Sequence, residues 1–186
     1  MERLKEKYFK KVIPEMKEKF GYKNNLAVPK ILKAVINVGV GKFKDDQKFL
    51  EVVENNLKRI TGQRPIYTFS KKSISAFKVR AGDKVGLKVT LRGKRLYHFL
   101  DKLINVTFPR VRDFQGIDPK KSLDQQGNLN IGFREQIVFP EIKSDEVEKI
   151  HGLEVAIVTN AKSWEKGFYL LKSYGFPFKE IKPEKK

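Results

Sequence analysis

The clearest alternation in the chain falls at Val85–Arg92. Val85, Leu87, Val89 and Leu91 alternate with Gly86, Lys88, Thr90 and Arg92. A period of two puts one row on a buried face and the other on an open one, so the pattern predicts a strand. Its open row carries cations and hydrogen-bonding groups rather than inert cover. Just ahead, Ser70–Arg80 is a polar, basic run with isolated Ile74 and Phe77 and no period. Together these form Thr68–Gly93, the stretch the rest of the chain is organised around.

Other segments read as follows. Leu4, Tyr8, Val12, Met16 and Phe20 step by four and predict a helix over Glu2–Phe20, kinked or broken by Pro14 and stopped at Gly21. Pro29 opens a predicted strand, Ile31–Val40. One row is Leu32, Ala34, Ile36, Val38 and Val40; the other is Ile31, Lys33, Val35 and Asn37, and Asn37 breaks its apolar character. Gly39-Val40-Gly41-Lys42 has the wrong spacing for a Walker loop and reads as a tight strand-to-helix turn. A helix over Asp45–Ile60 follows, with Phe49, Leu50, Val53, Leu57 and Ile60 on one side and Asp45 or Asp46 as its cap. Gly62 ends it, Gln63 sits in the turn before Pro65, and Ile66–Phe69 is a short strand.

Beyond Gly93, a helix over Lys94–Val106 carries Leu96, Phe99, Leu100, Leu103 and Ile104. Residues 108–114 form a basic, aromatic loop. Leu129, Ile131 and Phe133 mark a third clear strand with a polar row. Ile137–Pro140 prolongs the sheet or bends it, and Ser144–Ile150 is a short helical segment. Leu153–Thr159 is another strand. Ser163 caps a last helix bearing Trp164, Phe168 and Leu171, closed by Gly175 and Pro177. Lys179–Lys186 is a charged, frayed tail.

Strands and helices interleave, and the clearest strands each have one apolar and one polar row. A half-polar sheet has one face for helices to cover. The expected class is therefore α+β: a mainly antiparallel sheet with helices on one face, the other face open, and a long basic loop, a ferredoxin-like elaboration. The expected organisation is a single domain over residues 1–186, with 70–84 protruding.

Composition narrows the partner. Among 186 residues there are 40 Lys+Arg and 22 Asp+Glu, a formal net charge of +18. Such an excess calls for a polyanion. No apolar run is long enough to span a bilayer, and the first residues lack the apolar core of a signal peptide. With no Cys there is no disulfide, thiolate metal site or Cys nucleophile. His98, on a helix flank, and His151, in a turn, are the only imidazoles, and no carboxylate cluster reads as a metal site; Asp45 and Asp46 read as caps rather than a catalytic pair.

At this point the residues resemble a known family. The run ITGQRPIYTFSKKSISAFKVRAGDKVGLKVTLRG, followed by RLYHFLDKLINVTFPRVRDFQGI, closely resembles the bacterial ribosomal protein L-five family of the large subunit. VINVGVG, GNLNIGFREQIVFPEI and LLKSYGFPF match at the expected positions, so the resemblance covers nearly the whole chain. It implies a non-enzymatic protein without cofactor or metal, on the cytoplasmic ribosome. The partners it implies are 5S rRNA, 23S rRNA in the central protuberance, P-site tRNA, the small-subunit head protein S-thirteen and neighbouring 5S-particle proteins. Asn37, Gln63, Thr90 and Arg92 match the family's 5S rRNA contacts, and the alternation adds Lys88. The loop residues Lys71, Lys72, Ser73, Ile74, Ser75, Phe77, Lys78 and Arg80 match the segment that approaches the tRNA elbow. Arg110, Arg112, Asp113 and Phe114, within Pro109–Gly116, match the inter-subunit bridge, as does Arg134–Pro140. Phe69-Ser70 and Gln125-Gln126 depart from the family, each losing a cation, and His151 replaces a common Arg.

Lys and Arg displace counterions from phosphates, and such contacts position rather than read. Asn37, Gln63 and Thr90 are neutral donor–acceptor groups suited to 2′-hydroxyls and base edges. Each also has a plainer role: Asn37 as a partner for nearby backbone, Gln63 as turn filler, Thr90 as a strand former. The length of Ser70–Arg80 and its apolar Ile74 and Phe77 favour a loop ordered only by a partner. Phe77 either stacks on a nucleotide or tucks back into the protein. The alternative class is a free-standing RNA-binding regulator or chaperone, which would be expected to carry stacking aromatics on its open rows. An RNA-processing enzyme is the third.

Overall fold

The computed structural model describes residues 3–143, 147 and 149–179. In chain order the elements are α1 (Arg3–Lys7), a π-helical turn (Tyr8–Val12), α2 (Ile13–Phe20), β1 (Ile31–Gly39), α3 (Gln47–Thr61), β2 (Ile66–Phe69), β3 (Lys84–Leu91) and α4 (Gly93–Lys102). A second π-helical turn (Leu103–Thr107) follows, then α5 (Phe108–Arg110), α6 (Pro119–Ser122), β4 (Leu129–Phe133), β5 (Leu153–Thr159) and α7 (Trp164–Tyr174). The class is α+β: an open, antiparallel five-stranded sheet in the order β2-β3-β1-β5-β4, with helices. Among the described residues, no helix is long and apolar enough to cross a membrane.

Two compact units divide the chain: Met1–Lys33 with Arg92–Ile131 and Ala156–Lys186, and Ala34–Leu91 with Gly132–Val155. In the second unit α3 packs on β3. Phe49, Leu50, Val53, Leu57 and Ile60 from the helix are buried, as are Leu87, Val89 and Leu91 from β3 and Ala34, Ile36 and Val38 from β1. Burying one such side chain contributes roughly 1.5–3 kcal/mol, so this row fixes which face of β1 and β3 turns inward. Asp46 is the cap: its Oδ1 accepts from the Phe49 N–H at 3.0 Å. The Lys149 ammonium and that N–H hold its carboxyl below the usual range.

In the first unit, α1 packs against α4, and the Tyr8–Val12 turn packs against α7. Tyr8 stacks on Tyr174 with ring centroids 6.1 Å apart. Lys7 Nζ donates to the Tyr174 carbonyl at 2.7 Å, where the negative end of α7 favours a cation. Burial lowers the Lys7 ammonium's pKa and raises the Tyr8 hydroxyl to about 12.

Several expectations need correction. The break expected at Pro14 takes the form of a π turn, and the helix as a whole continues to Gly21. The chain widens into the π turn, the Ile13 N–H bonds the Tyr8 carbonyl, and Pro14 enters in the first turn of α2. The same device recurs before Pro109, where the Phe108 N–H bonds the Leu103 carbonyl. A ring that cannot donate and crowds the preceding turn is tolerated at such a helix start. The helix expected to stop at Val106 therefore runs through α5 to Arg110, and Phe108–Arg110 is not loop. Leu32, placed in the apolar row, is exposed, whereas Ile31 is buried. Gln136–Val138 is a 3-10 turn, so the chain bends there rather than extending the sheet. Ser163 occupies the cap position of α7, but its side chain makes no capping bond; its carbonyl accepts from the Gly167 N–H at 3.0 Å. The expected segment Ser144–Ile150 and the tail beyond Lys179 fall largely outside the described residues.

Candidate nucleic-acid interface

The antiparallel register sets the site. Asn37 pairs with Lys88, Val35 with Thr90 and Gly39 with Gly86 across β1 and β3. Across β3 and β2, Lys88 pairs with Ile66 and Gly86 with Thr68. Directly opposed residues share a face, so one face carries the rows Asn37–Lys88–Ile66 and Gly39–Gly86–Thr68, with Val35–Thr90 beside them. Asn37 and Lys88 are exposed and Thr90 is half-buried, while the alternate residues are buried. Helix α3 lies on the buried side; the donor-bearing side stays open.

Gly86 keeps this face low. A Cβ there would lie 2.8 Å from Thr68 Oγ1 and 3.0 Å from the Val38 carbonyl. Gln63 Nε2 donates to the Thr90 carbonyl at 3.3 Å, so Gln63 props the end of the face as well as standing beside it. Arg92, in the first unit, is exposed at the cap position of α4. Two features were missed from sequence: Ile66, 65% exposed in the row with Lys88, and the paired glycines. Cross-strand register reveals them, and alternation within one strand does not contain it.

The loop between β2 and β3 starts at a bulge between Thr68 and Phe69, the kind of irregularity that re-aims a strand end. The loop also makes bonds of its own. Ser70 N–H donates to the Asp83 carbonyl and Gly82 N–H to the Ser70 carbonyl, both at 2.9 Å. Ile74 and Val79 form a bridge, and Ser73 Oγ accepts from the Ala81 N–H at 3.0 Å. Lys44 Nζ reaches across to the Lys78 carbonyl at 2.7 Å and to the Asp83 carboxylate. The Arg80 N–H, at 2.8 Å, and Lys44 hold the Asp83 carboxyl below its usual range. Lys71, Lys72, Ser73, Ile74, Ser75, Phe77, Lys78 and Arg80 are all exposed. Phe77 is 74% exposed.

The residues aligned with the bridge divide differently. Arg110, Arg112 and Asp113 are exposed, but Phe114 stacks on Phe108 at 5.2 Å. In Arg134–Pro140, Gln136 and Phe139 are buried. Gln136 Oε1 accepts from the His151 N–H at 2.8 Å and its Nε2 donates to the Lys149 carbonyl at 3.0 Å. His151, read from sequence as lying in a turn, is interior: Asn56 Nδ2 faces its Nε2 at 3.3 Å and Nδ1 faces the Gly152 carbonyl. That pattern assigns the proton to Nδ1. Burial lowers its pKa, so the ring is a neutral structural group with both nitrogens engaged.

Comparison with known proteins gives a consistent result. The family described as Ribosomal protein L5 matches residues 24–80, and the model for the C-terminus of the same ribosomal family matches residues 84–178. Large ribosomal subunit protein uL5 of Halothermothrix orenii is 51% identical over 177 residues, covering 95% of this chain and 98% of its own. The protein of the same name from Caldanaerobacter subterraneus subsp. tengcongensis is 52% identical over 178 residues, covering 96% and 99%. That from Chloroflexus aggregans is 49% identical over 178 residues, covering 96% and 98%. Two adjoining matches that take in both the open-face strands and the basic loop, with about half of all positions identical along nearly the full length, establish that this chain belongs to the ribosomal protein L5 family.

Proposed function

We propose that this chain is a structural, non-enzymatic constituent of the large ribosomal subunit, on the cytoplasmic ribosome, and that it binds 5S rRNA through the open face of its sheet. The observation that carries the reading is the exposed Asn37–Lys88 pair, with Thr90 beside it, opposite the side covered by α3. Lys88 neutralises phosphate. Asn37, Gln63 and Thr90 supply neutral groups for 2′-hydroxyls and base edges; Arg92, exposed on the first unit, is a separate rRNA contact.

The finer contacts follow from the same reading. The loop 70–84 presents Lys71, Lys72, Lys78 and Arg80 to the elbow of P-site tRNA. Arg110, Arg112 and Asp113 face the small-subunit head protein S-thirteen, with Phe114 as their internal support. Contacts with 23S rRNA and neighbouring 5S-particle proteins secure the particle in the central protuberance. The chain acts as one ribosomal-protein domain.

The test is a 5S rRNA titration across salt with the native protein and the variants Asn37→Ala, Thr90→Ala and Lys88→Ala. Losing a well-packed neutral contact should weaken binding by roughly 1–2 kcal/mol. Lys88→Ala should also reduce the salt slope by about 1. Equal affinity and equal slope in all four proteins would remove the face assignment. Release of the native protein from large subunits in a high-salt wash would favour a free-standing RNA-binding regulator instead.

A further inference from the structure

A groove of about 520 Å³ opens between the basic loop and the turn after β1. Phe43, Ile74, Phe77 and Val79 line it, together with Gly39 and Gly41. Phe43 is 45% exposed and Ile74 is 46% exposed. Three aromatic or aliphatic walls left in contact with solvent are unusual for a surface this cationic. None of the roles discussed above uses Phe43 or Gly41.

The two glycines are not required by the fold. Neither has left-handed backbone, and a Cβ built on either meets no atom within 4 Å. Without side chains they leave that part of the groove open. Gly39 also stands two residues from Asn37 on the same side of β1 and pairs with Gly86, so the groove opens directly off the face assigned to rRNA. One charged residue, the exposed Lys42, lines the groove itself. Within residues 39–46 and 70–85 the cations are Lys42, Lys44, Lys71, Lys72, Lys78, Arg80 and Lys84, and the carboxylates are Asp45, Asp46 and Asp83. Asp83 is paired with Lys44 and accepts from the Arg80 N–H, and Asp46 is paired with Lys149.

Apolar, aromatic walls beside a lysine fit one chemistry: a flat, uncharged ring attached to a phosphodiester. We propose that this groove receives the base of a single unpaired rRNA nucleotide, held against Phe43 and Phe77, with a flanking phosphate on Lys42. Sequence-tolerant stacking of this kind is how proteins hold unpaired bases. An acidic peptide would satisfy Lys42 but would not need aromatic rings beside two open glycines. The inference rests on the RNA-binding reading above and adds a defined place for one base.

The experiment uses large subunits containing the full-length protein, washed free of tRNA and irradiated with ultraviolet light. Nucleotide–peptide adducts are then mapped by mass spectrometry. An adduct on Phe43 or Phe77 is expected, and it should disappear in Gly41→Val, whose side chain fills the groove without backbone strain. In a 5S rRNA titration, or one with the 23S segment found in the adduct, Phe77→Ala and Gly41→Val should each weaken affinity about tenfold. The salt slope should stay unchanged, because no phosphate contact is lost. Circular dichroism and melting confirm that both variants fold. Absence of an adduct at both phenylalanines, an adduct seen only when tRNA is present, or native affinity in both variants would overturn the proposal. If those two variants bind normally while Asn37→Ala and Lys88→Ala bind weakly, the groove fails and the open face survives. If the native protein binds no rRNA, both fall.

Discussion

Two loops of this protein pair phenylalanine with basic residues and have opposite constructions. Residues 70–84 carry Phe77 among Lys and Arg, and residues 111–116, which follow α5, carry Phe114 beside Arg112. In the first, Phe77 faces solvent and order comes from bonds within the loop and from Lys44. In the second, Phe114 stacks on the buried Phe108, and the segment is stitched to the chain beyond α7: Ile117 N–H donates to the Pro177 carbonyl at 2.8 Å, and Lys179 N–H donates to the Ile117 carbonyl at 2.9 Å. An aromatic ring in a basic loop is available to a partner only when its own chain offers it nothing to cover.

The contrast breaks most readily at Phe108. This ring is 1% exposed, and Phe108→Ala should cost about 3–5 kcal/mol, read as a drop in unfolding midpoint. Loss of less than about 1 kcal/mol would mean that the second loop is not core-anchored. The glycines come next. Gly116 has φ +91°, and a Cβ there would lie 3.0 Å from the Lys179 nitrogen and 3.2 Å from the Pro177 carbonyl. Gly82 has φ +89° with nothing within 4 Å. Gly82→Ala should therefore cost only left-handed strain, roughly 1–2 kcal/mol. Gly116→Ala adds overpacking, for roughly 2–5 kcal/mol in all. Denaturant melts of the two variants side by side test the ranking.

A smaller, local effect distinguishes the first loop by pH. The folded-state pKa of Asp83 lies below the ordinary 3.8, first through the Arg80 N–H and then through Lys44. Its contribution is fully present above 3.8 and is lost as pH falls through the lowered value. Amide exchange at Arg80 and Gly82 should accelerate over that interval, and Asp83→Asn should show fast exchange already at neutral pH. Protection independent of pH and of this substitution would show that the carboxylate does not hold the loop. Smallest of all, Phe77→Ala should change stability by no more than about 0.5 kcal/mol, while leaving Phe108→Ala as severe as before. A loss comparable to Phe108→Ala would place Phe77 in the core and erase the difference between the loops.

Much of this architecture is legible without coordinates. Alternation gives β3, β4 and β5 and most of β1, because a strand with one wet face writes that face into every second residue. The four-residue stripes give α3, α4 and the first helix for the equivalent reason. The Asp46 cap is open between two neighbours in the sequence and falls to the one whose carboxylate meets the Phe49 N–H. The interruption of the helix at Pro14 is legible from sequence, but its form is not: a proline marks the break, and only the structure shows that a π turn makes it. His151 is misread because a polar residue among charged neighbours signals a turn until Asn56 and Gln136 close around it.

Residue order alone therefore determined the α+β class, the polar row on β3, the cationic excess and the family. Spacing and composition are properties of the chain itself, and each maps onto burial through a fixed period. Tertiary structure decided which polar residues lie side by side. Asn37 and Lys88 are 51 positions apart, and only the antiparallel register makes them neighbours. It also decided which phenylalanine is free, since availability depends on what packs against a ring and on nothing written beside it in the sequence.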